Sequence, residues 1–409
     1  MSIRWSEVDS FAGNFCSAAA TDQRPCPICG SERSQTVLQF DQFQFYCDSA
    51  EVAKRVDVRE VQCLDCFALY LNPCYSEEGF RVLFAEAGCS YGSAVSHTLQ
   101  QIDWLKTRGL LRTEKRLLDA GCYDGAFLAK LPDDVERIGV DIDGPAIERG
   151  RAALSSKGVE FIRGDFESFR CDKPLDVITM FHVLEHLPRP LAVLRHLRSM
   201  AHAGTRLIIE VPILENGFTN DINGFFTVRH MTHFTRESLM NCLALAGWKA
   251  IESQEHSEYN GFRVMAIPGE FIPTMAQESE VVSLLRQYLA HWNLAVKAVE
   301  DQLVSLMPAK KCVIWGAGAH TEFLYQTTSL FHRRKDRQYA IVDGDPIKKG
   351  KSWRGIEIHS PAVLKELVWS GEYLLVSSYS SQEEIARAAV ELGTPRDRVV
   401  TLYKELRVY

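Results

Sequence analysis

The chain has 409 residues, room for two or three domains at roughly 100–200 residues each. With 46% hydrophobic and 24% charged residues it has an ordinary globular composition and can bury a core of normal size. Its net charge of −7, from 46 basic and 53 acidic residues, argues against nucleic acid as the main partner, because an acidic chain gains nothing from counterion release on phosphates. The opening MSIRWSEVDSFAGNF lacks a basic flank followed by an apolar run, and no stretch reaches the roughly 18–20 apolar residues that span a bilayer. The expected setting is the cytoplasm, without a membrane partner, where the 12 cysteines are thiols or metal ligands rather than disulfides.

Residues 20–75 hold six of the cysteines. Cys26 and Cys29 lie in CPICG, Cys63 and Cys66 in CLDC, and the stretches between read as strands. A two-residue spacer lets both sulfurs of a knuckle reach one ion, and two knuckles place four thiolates tetrahedrally around zinc. Gly30 suits a knuckle turn that needs positive φ. The pattern is that of a zinc ribbon with Zn2+ held by Cys26, Cys29, Cys63 and Cys66, and four protein ligands leave no open position for metal catalysis. Residues 76–112 form a helical connector.

From 113 to 267 short apolar runs alternate with amphipathic stretches, the pattern of β-α-β units. Leu117 and Leu118 end a strand, Asp119 and Gly121 begin a tight turn containing Tyr123, and Gly125 opens a helix through Ala126, Phe127, Leu128 and Leu131. Strand, glycine turn and helix make the cofactor crevice of an α/β sheet. Asp141 ends the next strand, where a carboxylate accepts hydrogen bonds from ribose hydroxyls. Asp165 and Phe166 follow a third strand, suited to an adenine amino group and to stacking. A fourth leads into Phe181-His182-Val183-Leu184-Glu185-His186, with His182 near the cofactor and His186 read as structural. A fifth runs through Thr205 to Pro212. The stretch 275–307 reads as a helical linker, its stripe of Leu284, Leu285, Tyr288, Leu289, Trp292, Val296, Val299 and Leu303 spaced for core packing.

In order and spacing, LLDAGCYDG, GVDID, GDF, DVITMFHVLEHL and GTRLIIEVP resemble the class I S-adenosylmethionine-dependent methyltransferases over roughly residues 115–250. The resemblance implies a Rossmann-like seven-stranded sheet, with Gly121, Tyr123 and Gly125 under the methionine part of the cofactor. It further implies ribose on Asp141, adenine on Asp165 and Phe166, and Asp119, Ile142 and His182 in the cofactor pocket. The Tyr123-Asp124-Gly125 turn is closest to the subgroup that methylates carbon atoms of nucleotide-linked sugars. That subgroup has a Tyr, then a Glu-His pair, where this chain has Thr227, Arg229 and His230. The resemblance thus implies proton abstraction by His230, with His233 beside it and Arg229 on the substrate. Tyr91 is expected to close the pocket.

Residues 308–409 repeat the strand, glycine turn and helix in Lys311-Cys-Val-Ile-Trp-Gly316-Ala-Gly318-Ala-His320, with Asp343 ending the next strand. This resembles the C-terminal Rossmann-like domain of the same three-module zinc-ribbon sugar C-methyltransferases, and implies Gly316, Gly318, His320 and Asp343 as nucleotide-sugar contacts. The expected fold is α/β: zinc ribbon, methyltransferase sheet and C-terminal Rossmann-like domain. The expected activity is methyl transfer from S-adenosylmethionine to a nucleotide-activated sugar, with C-methylation favoured. O- or N-methylation of another glycan or natural-product intermediate is the alternative. A zinc-ribbon RNA methyltransferase and a non-catalytic S-adenosylmethionine- or nucleotide-binding protein represent other classes. Oligomeric state is open.

Overall fold

The computed structural model describes residues 3–8, 20–45, 54–84, 95–112, 115–256, 260–272, 278–306 and 308–406. The cysteine knuckles open a small unit in which β1 (Thr21–Asp22) pairs with β5 (Cys74–Tyr75). Its main sheet has β2 (Ser34–Gln44), β3 (Arg55–Cys63) and β4 (Leu69–Leu71), closed at the β4 edge by the distant β11 (Thr232–His233). Helices α1 (Glu77–Phe84) and α2 (Val95–Thr107) follow.

The central sheet contains β6 (Arg116–Ala120), β7 (Glu136–Asp141), β8 (Val159–Arg163), β9 (Leu175–Phe181), β10 (Ala201–Val211), β12 (Trp248–Glu255) and β13 (Phe262–Pro268). Its order is β12-β13-β10-β9-β6-β7-β8, with the last five parallel and β13 antiparallel to both neighbours. Strand order reverses at β6, so a crevice opens at the carboxyl ends of β6 and β9, where such sheets bind ligands. Around it pack α3 (Gly144–Leu154), α4 (Pro190–Ser199) and α5 (Arg236–Leu245). Asp143 caps α3 by accepting from the Ala146 N–H at 2.9 Å, and Thr235 and Ser238 form a reciprocal cap on α5.

One expected element is much shorter than the sequence suggests. Instead of a helix opening at Gly125, only a 3₁₀ turn forms, at Leu128–Lys130. Pro132 explains this: it forces Leu131 into an extended conformation, φ −73° and ψ 154°, before two helical turns can be completed.

The long helix α6 (Glu278–Leu303) carries the expected stripe, and Leu285, Tyr288, Trp292, Val299 and Leu303 are all buried. They share one core with Phe40, Phe43 and Phe45 of the cysteine unit, Phe225 and Phe226 of the segment after β10, and Phe323 and Trp353 of the C-terminal region. That region has β14 (Lys311–Trp315), α7 (Ala319–Thr327), β15 (Gln338–Val342), β16 (Ser352–Trp353), β17 (Ile356–His359), β18 (Tyr373–Val376), α8 (Gln382–Glu391) and β19 (Val399–Val400). Its sheet order is β16-β17-β15-β14-β18-β19, parallel except at β16. Among the described residues no helix is long and apolar enough to cross a membrane.

Candidate active site

The turn after β6 is built around left-handed backbone: Gly121, Tyr123 and Gly125 have φ of 86°, 50° and 78°. At Gly121 a Cβ would lie 2.3 Å from Val183 Cγ2, so glycine is needed for space as well as for φ. Tyr123 adopts the left-handed angle without being glycine or asparagine, and its hydroxyl accepts from Arg149 at 3.0 Å. The Asp141 carboxylate anchors the turn, accepting from the Tyr123 N–H at 2.8 Å and the Asp143 N–H at 2.9 Å. Each oxygen keeps a further lone pair for ribose hydroxyls. Beside it Ile142 is 51% exposed, an apolar surface fit for a base. The residues present fit S-adenosylmethionine in this cradle.

Two expected contacts, Asp119 and Phe166, are buried rather than open to the crevice. Asp119 is buried and accepts from Thr179 Oγ1 at 2.7 Å, so it supports the turn from beneath. Burial, helped by the Asp141 charge and opposed by the Thr179 bond, pushes its pKa up to about 7. Phe166 is packed in the core under the sheet because its ring gains more from burial there than from a surface stack, leaving exposed Asp165 alone at the β8 edge. Tyr91 lies outside the described residues.

His182, with φ 55°, follows β9 and lies between two carboxylates, its Nδ1 3.5 Å from Glu185 Oε1 and its Nε2 3.2 Å from Glu210 Oε1. Burial lowers its pKa, but the two carboxylates outweigh this and hold it up at about 10, so the ring is an imidazolium. Glu210 also pairs with Arg263 at 2.5 Å and His256 at 3.3 Å and accepts from Gln101 at 3.1 Å. The sequence reading missed Glu210, Arg263, His256 and Gln101: strand pairing sets Arg263 beside Glu210, the β12–β13 turn brings His256, and α2 brings Gln101.

Next to this network Glu185, His186 and His230 converge, with one ligating atom of each within 4.8 Å of the others. The His186 and His230 rings meet edge to face at 4.7 Å. Burial first, then the neighbouring His186, His233 and Arg229, keep His230 well below the ordinary histidine range, so its imidazole is neutral. Arg229 contributes its carbonyl, which accepts from His186 Nδ1 at 3.1 Å. The His233 ring lies 5.9 Å from that of His230, but its Nε2 is engaged elsewhere. It is buried in the β11–β4 pairing with Nε2 2.9 Å from the buried Glu60 carboxylate, because strand alternation turns it into the cysteine unit.

In the cysteine unit, Sγ atoms of Cys26 and Cys66 are 3.5 Å apart and those of Cys29 and Cys63 are 3.6 Å apart. Bonds of about 2.3 Å in a tetrahedral zinc site imply edges of roughly 3.8 Å, whereas a disulfide needs about 2.05 Å. Backbone N–H groups of Asp65 and Cys66 point at Cys63 Sγ at 3.4 and 3.5 Å. The donor set and spacing fit zinc. The same unit braces the segment that carries His230: β4 pairs with β11, and Arg24 donates to the carbonyls of Pro188 and Met231.

The C-terminal turn repeats the central geometry. Gly316 N–H donates to the Val342 carbonyl at 2.9 Å, as Gly121 N–H does to Val140 at 2.8 Å. Asp343 accepts from the Ala317 and Asp345 N–H groups at 2.8 and 2.9 Å, and pairs with Lys348 at 3.0 Å. At Gly316, φ is 126° and a Cβ would strike the Ser377 carbonyl oxygen at 2.5 Å. A cleft of about 440 Å³ is lined here by Gly316, Gly318, Asp343, Lys348, Ser377 and Ser381. His320 is not in its lining. Its ring is buried and both nitrogens are occupied, by Ser377 Oγ at 2.9 Å and Tyr403 Oη at 2.7 Å, and burial lowers its pKa to about 3. It is a strut, since Tyr403 in turn accepts from the Ile222 N–H at 3.3 Å.

Residues 95–253 match the family described as a methyltransferase domain, and residues 308–400 match a second described as C2185-like, N-terminal. A ubiquinone biosynthesis O-methyltransferase of Aeromonas salmonicida is 30% identical over 122 residues, covering 27% of this chain. The chain spans about half, 48%, of that relative's length. An S-adenosylmethionine-dependent methyltransferase of Clostridium acetobutylicum aligns at 9% identity and TM-score 0.36, covering 43% of this chain and 93% of its own. A magnesium protoporphyrin IX methyltransferase of Synechocystis aligns at 18% and 0.35, covering 47% and 95%. The stretch 95–253, which carries the parallel strands and the switch-point crevice, is thus similar to a methyltransferase domain.

Proposed function

We propose that this protein transfers a methyl group from S-adenosylmethionine to a nucleotide-activated sugar, with a sugar carbon as the favoured acceptor atom. The observation that carries the reading is the Gly121–Gly125 turn locked onto Asp141 at the sheet's switch point. Bound there, the cofactor supplies a methyl group on a positively charged sulfur, and the protein's task is to position the acceptor in line. Asp141 holds the ribose, and Ile142 covers the base beside Asp165. The His182 imidazolium, fixed between Glu185 and Glu210, sets the shape of the β9 end. Neutral His230 is able to take a proton from the acceptor.

The nucleotide is assigned to the C-terminal cleft, where Asp343 and the Gly316 turn copy the cofactor cradle. Zinc in the four thiolates serves the fold. Arg229, standing where a carboxylate would orient the base, favours a second reading: O- or N-methylation of another glycan or natural-product intermediate.

The test is calorimetry with uridine, thymidine and guanosine diphosphates, then transfer of labelled methyl to the matching nucleotide-sugars. One diphosphate is expected to bind, at least tenfold more weakly in Asp343→Ala, and transfer is expected to fall in His230→Ala. If no diphosphate binds, the nucleotide-sugar acceptor is wrong.

A further inference from the structure

The segment after β10 returns to the end of β9 with unusual fixity. Met231 N–H donates to the Glu185 carbonyl at 2.8 Å, and the Arg229 carbonyl accepts from His186 Nδ1 at 3.1 Å. These two bonds clasp His230 against Glu185 and His186. Arg24 closes the clasp from outside by donating to the Met231 carbonyl.

Inside the clasp three polar atoms are left over. Both Glu185 carboxylate oxygens and His230 Nδ1 are buried and have no hydrogen-bond partner among the described residues. Glu185 is 1% exposed, and its nearest cationic neighbour is His182 Nδ1, 3.5 Å away. That one long ion pair is shared with Glu210 and leaves both Glu185 oxygens short of hydrogen-bond donors, which is costly for a buried carboxylate, on the order of several kcal/mol, unless further positive charge meets it. His186 has the complementary arrangement. Its Nδ1 is spent on a backbone carbonyl, which fixes the tautomer and frees Nε2, the usual support for a metal-bound histidine.

The geometry points to a second metal centre, in which Glu185, His186 and His230 hold a divalent transition-metal ion that takes an oxygen of the methyl acceptor in its open position. This deepens, and rests on, the methyl-transfer reading. Two imidazoles and one carboxylate are the donor set of open zinc and related catalytic sites, whereas the four thiolates make a closed one. Ligand atoms within 4.8 Å must draw in by up to roughly 1.3–1.8 Å, since metal bonds of about 2.0–2.2 Å give edges near 3.0–3.5 Å. The centre would lie beside the cofactor crevice, because Val183, two residues before Glu185, forms the wall against Gly121. A metal there polarises an acceptor carbonyl or hydroxyl oxygen, so it acidifies either a neighbouring C–H or the hydroxyl itself. His230 then serves as a ligand in place of the proton acceptor, and the proton that the acceptor loses passes to solvent water.

The test is titration of the full-length protein with Co2+, after weakly held metal is stripped on a chelating resin and ribbon zinc is verified by elemental analysis. Wild type is expected to take up one Co2+ per chain with weak ligand-field bands and no thiolate charge-transfer band. Acetohydroxamate, a bidentate oxygen donor, is expected to shift those bands. Glu185→Gln and His186→Asn are expected to weaken uptake at least tenfold while S-adenosylhomocysteine still binds. His230→Asn replaces either variant that fails to melt cooperatively. Absent uptake in wild type, uptake unchanged in the variants, or bands insensitive to hydroxamate each overturn the proposal. Failure of wild type to bind S-adenosylhomocysteine would instead overturn the methyl-transfer reading beneath it.

Discussion

Asp119→Asn should stabilise the ligand-free protein at neutral and alkaline pH. Asp119 is buried beneath the cofactor turn and its pKa is raised from 3.8 to about 7. In that interval the folded state binds the proton and the unfolded state has lost it, so stability falls as pH rises from about 4 to about 7 and is level above. At 1.36 kcal/mol for each tenfold change, the rise corresponds to a ceiling of about 4 kcal/mol. Asparagine keeps an oxygen to accept the Thr179 hydroxyl, 2.7 Å away, and carries no charge to bury. Urea denaturation of both proteins from pH 4 to 9 measures this directly. The difference should be near zero at pH 4 and grow to about 2–4 kcal/mol by pH 8. A variant that is less stable at pH 8, or a gap that does not depend on pH, refutes the reasoning.

Other outcomes follow from particular contacts. Gly121→Ala forces a left-handed alanine, about 1–2 kcal/mol, and a Cβ into Val183, about 1–3 kcal/mol more, so melting temperature and S-adenosylhomocysteine affinity should both drop. Unchanged melting would show that the turn is not so confined. Cys63→Ser should lower zinc content by one equivalent per chain and cost methyl transfer more than cofactor binding, because the cysteine unit pairs with β11 next to the His230 loop; elemental analysis and transfer assays decide. Glu322→Gln should cost about 3–5 kcal/mol in urea unfolding, since it strands the buried Arg354 guanidinium that bonds Glu322 Oε2 at 2.9 Å.

Much of the central domain was legible from local pattern. The apolar runs marked the parallel strands, Asp141 stood at its strand end, and the α6 stripe marked a packed face. What local pattern could not carry was anything decided by chain return. His233 looked like half of a catalytic pair, but its register on β4 delivers it to Glu60. His320 looked like a ligand contact, but Tyr403, far along the chain, claims it. The helix after Gly125 was overcalled because Pro132 ends the run too early. Glu185 went unremarked beside His186. Its signal was a glutamate in an apolar turn, VLEHL, a residue type almost never buried without a partner.

The most direct test of the central claim is calorimetric titration of S-adenosylhomocysteine into the wild-type protein and Asp141→Ala. One molecule should bind per wild-type chain, and the variant should bind at least tenfold more weakly, having lost both the ribose acceptor and the anchor of the Tyr123 N–H. No binding to the wild type, or equal binding to both, would contradict the assignment of this crevice to the methyl donor.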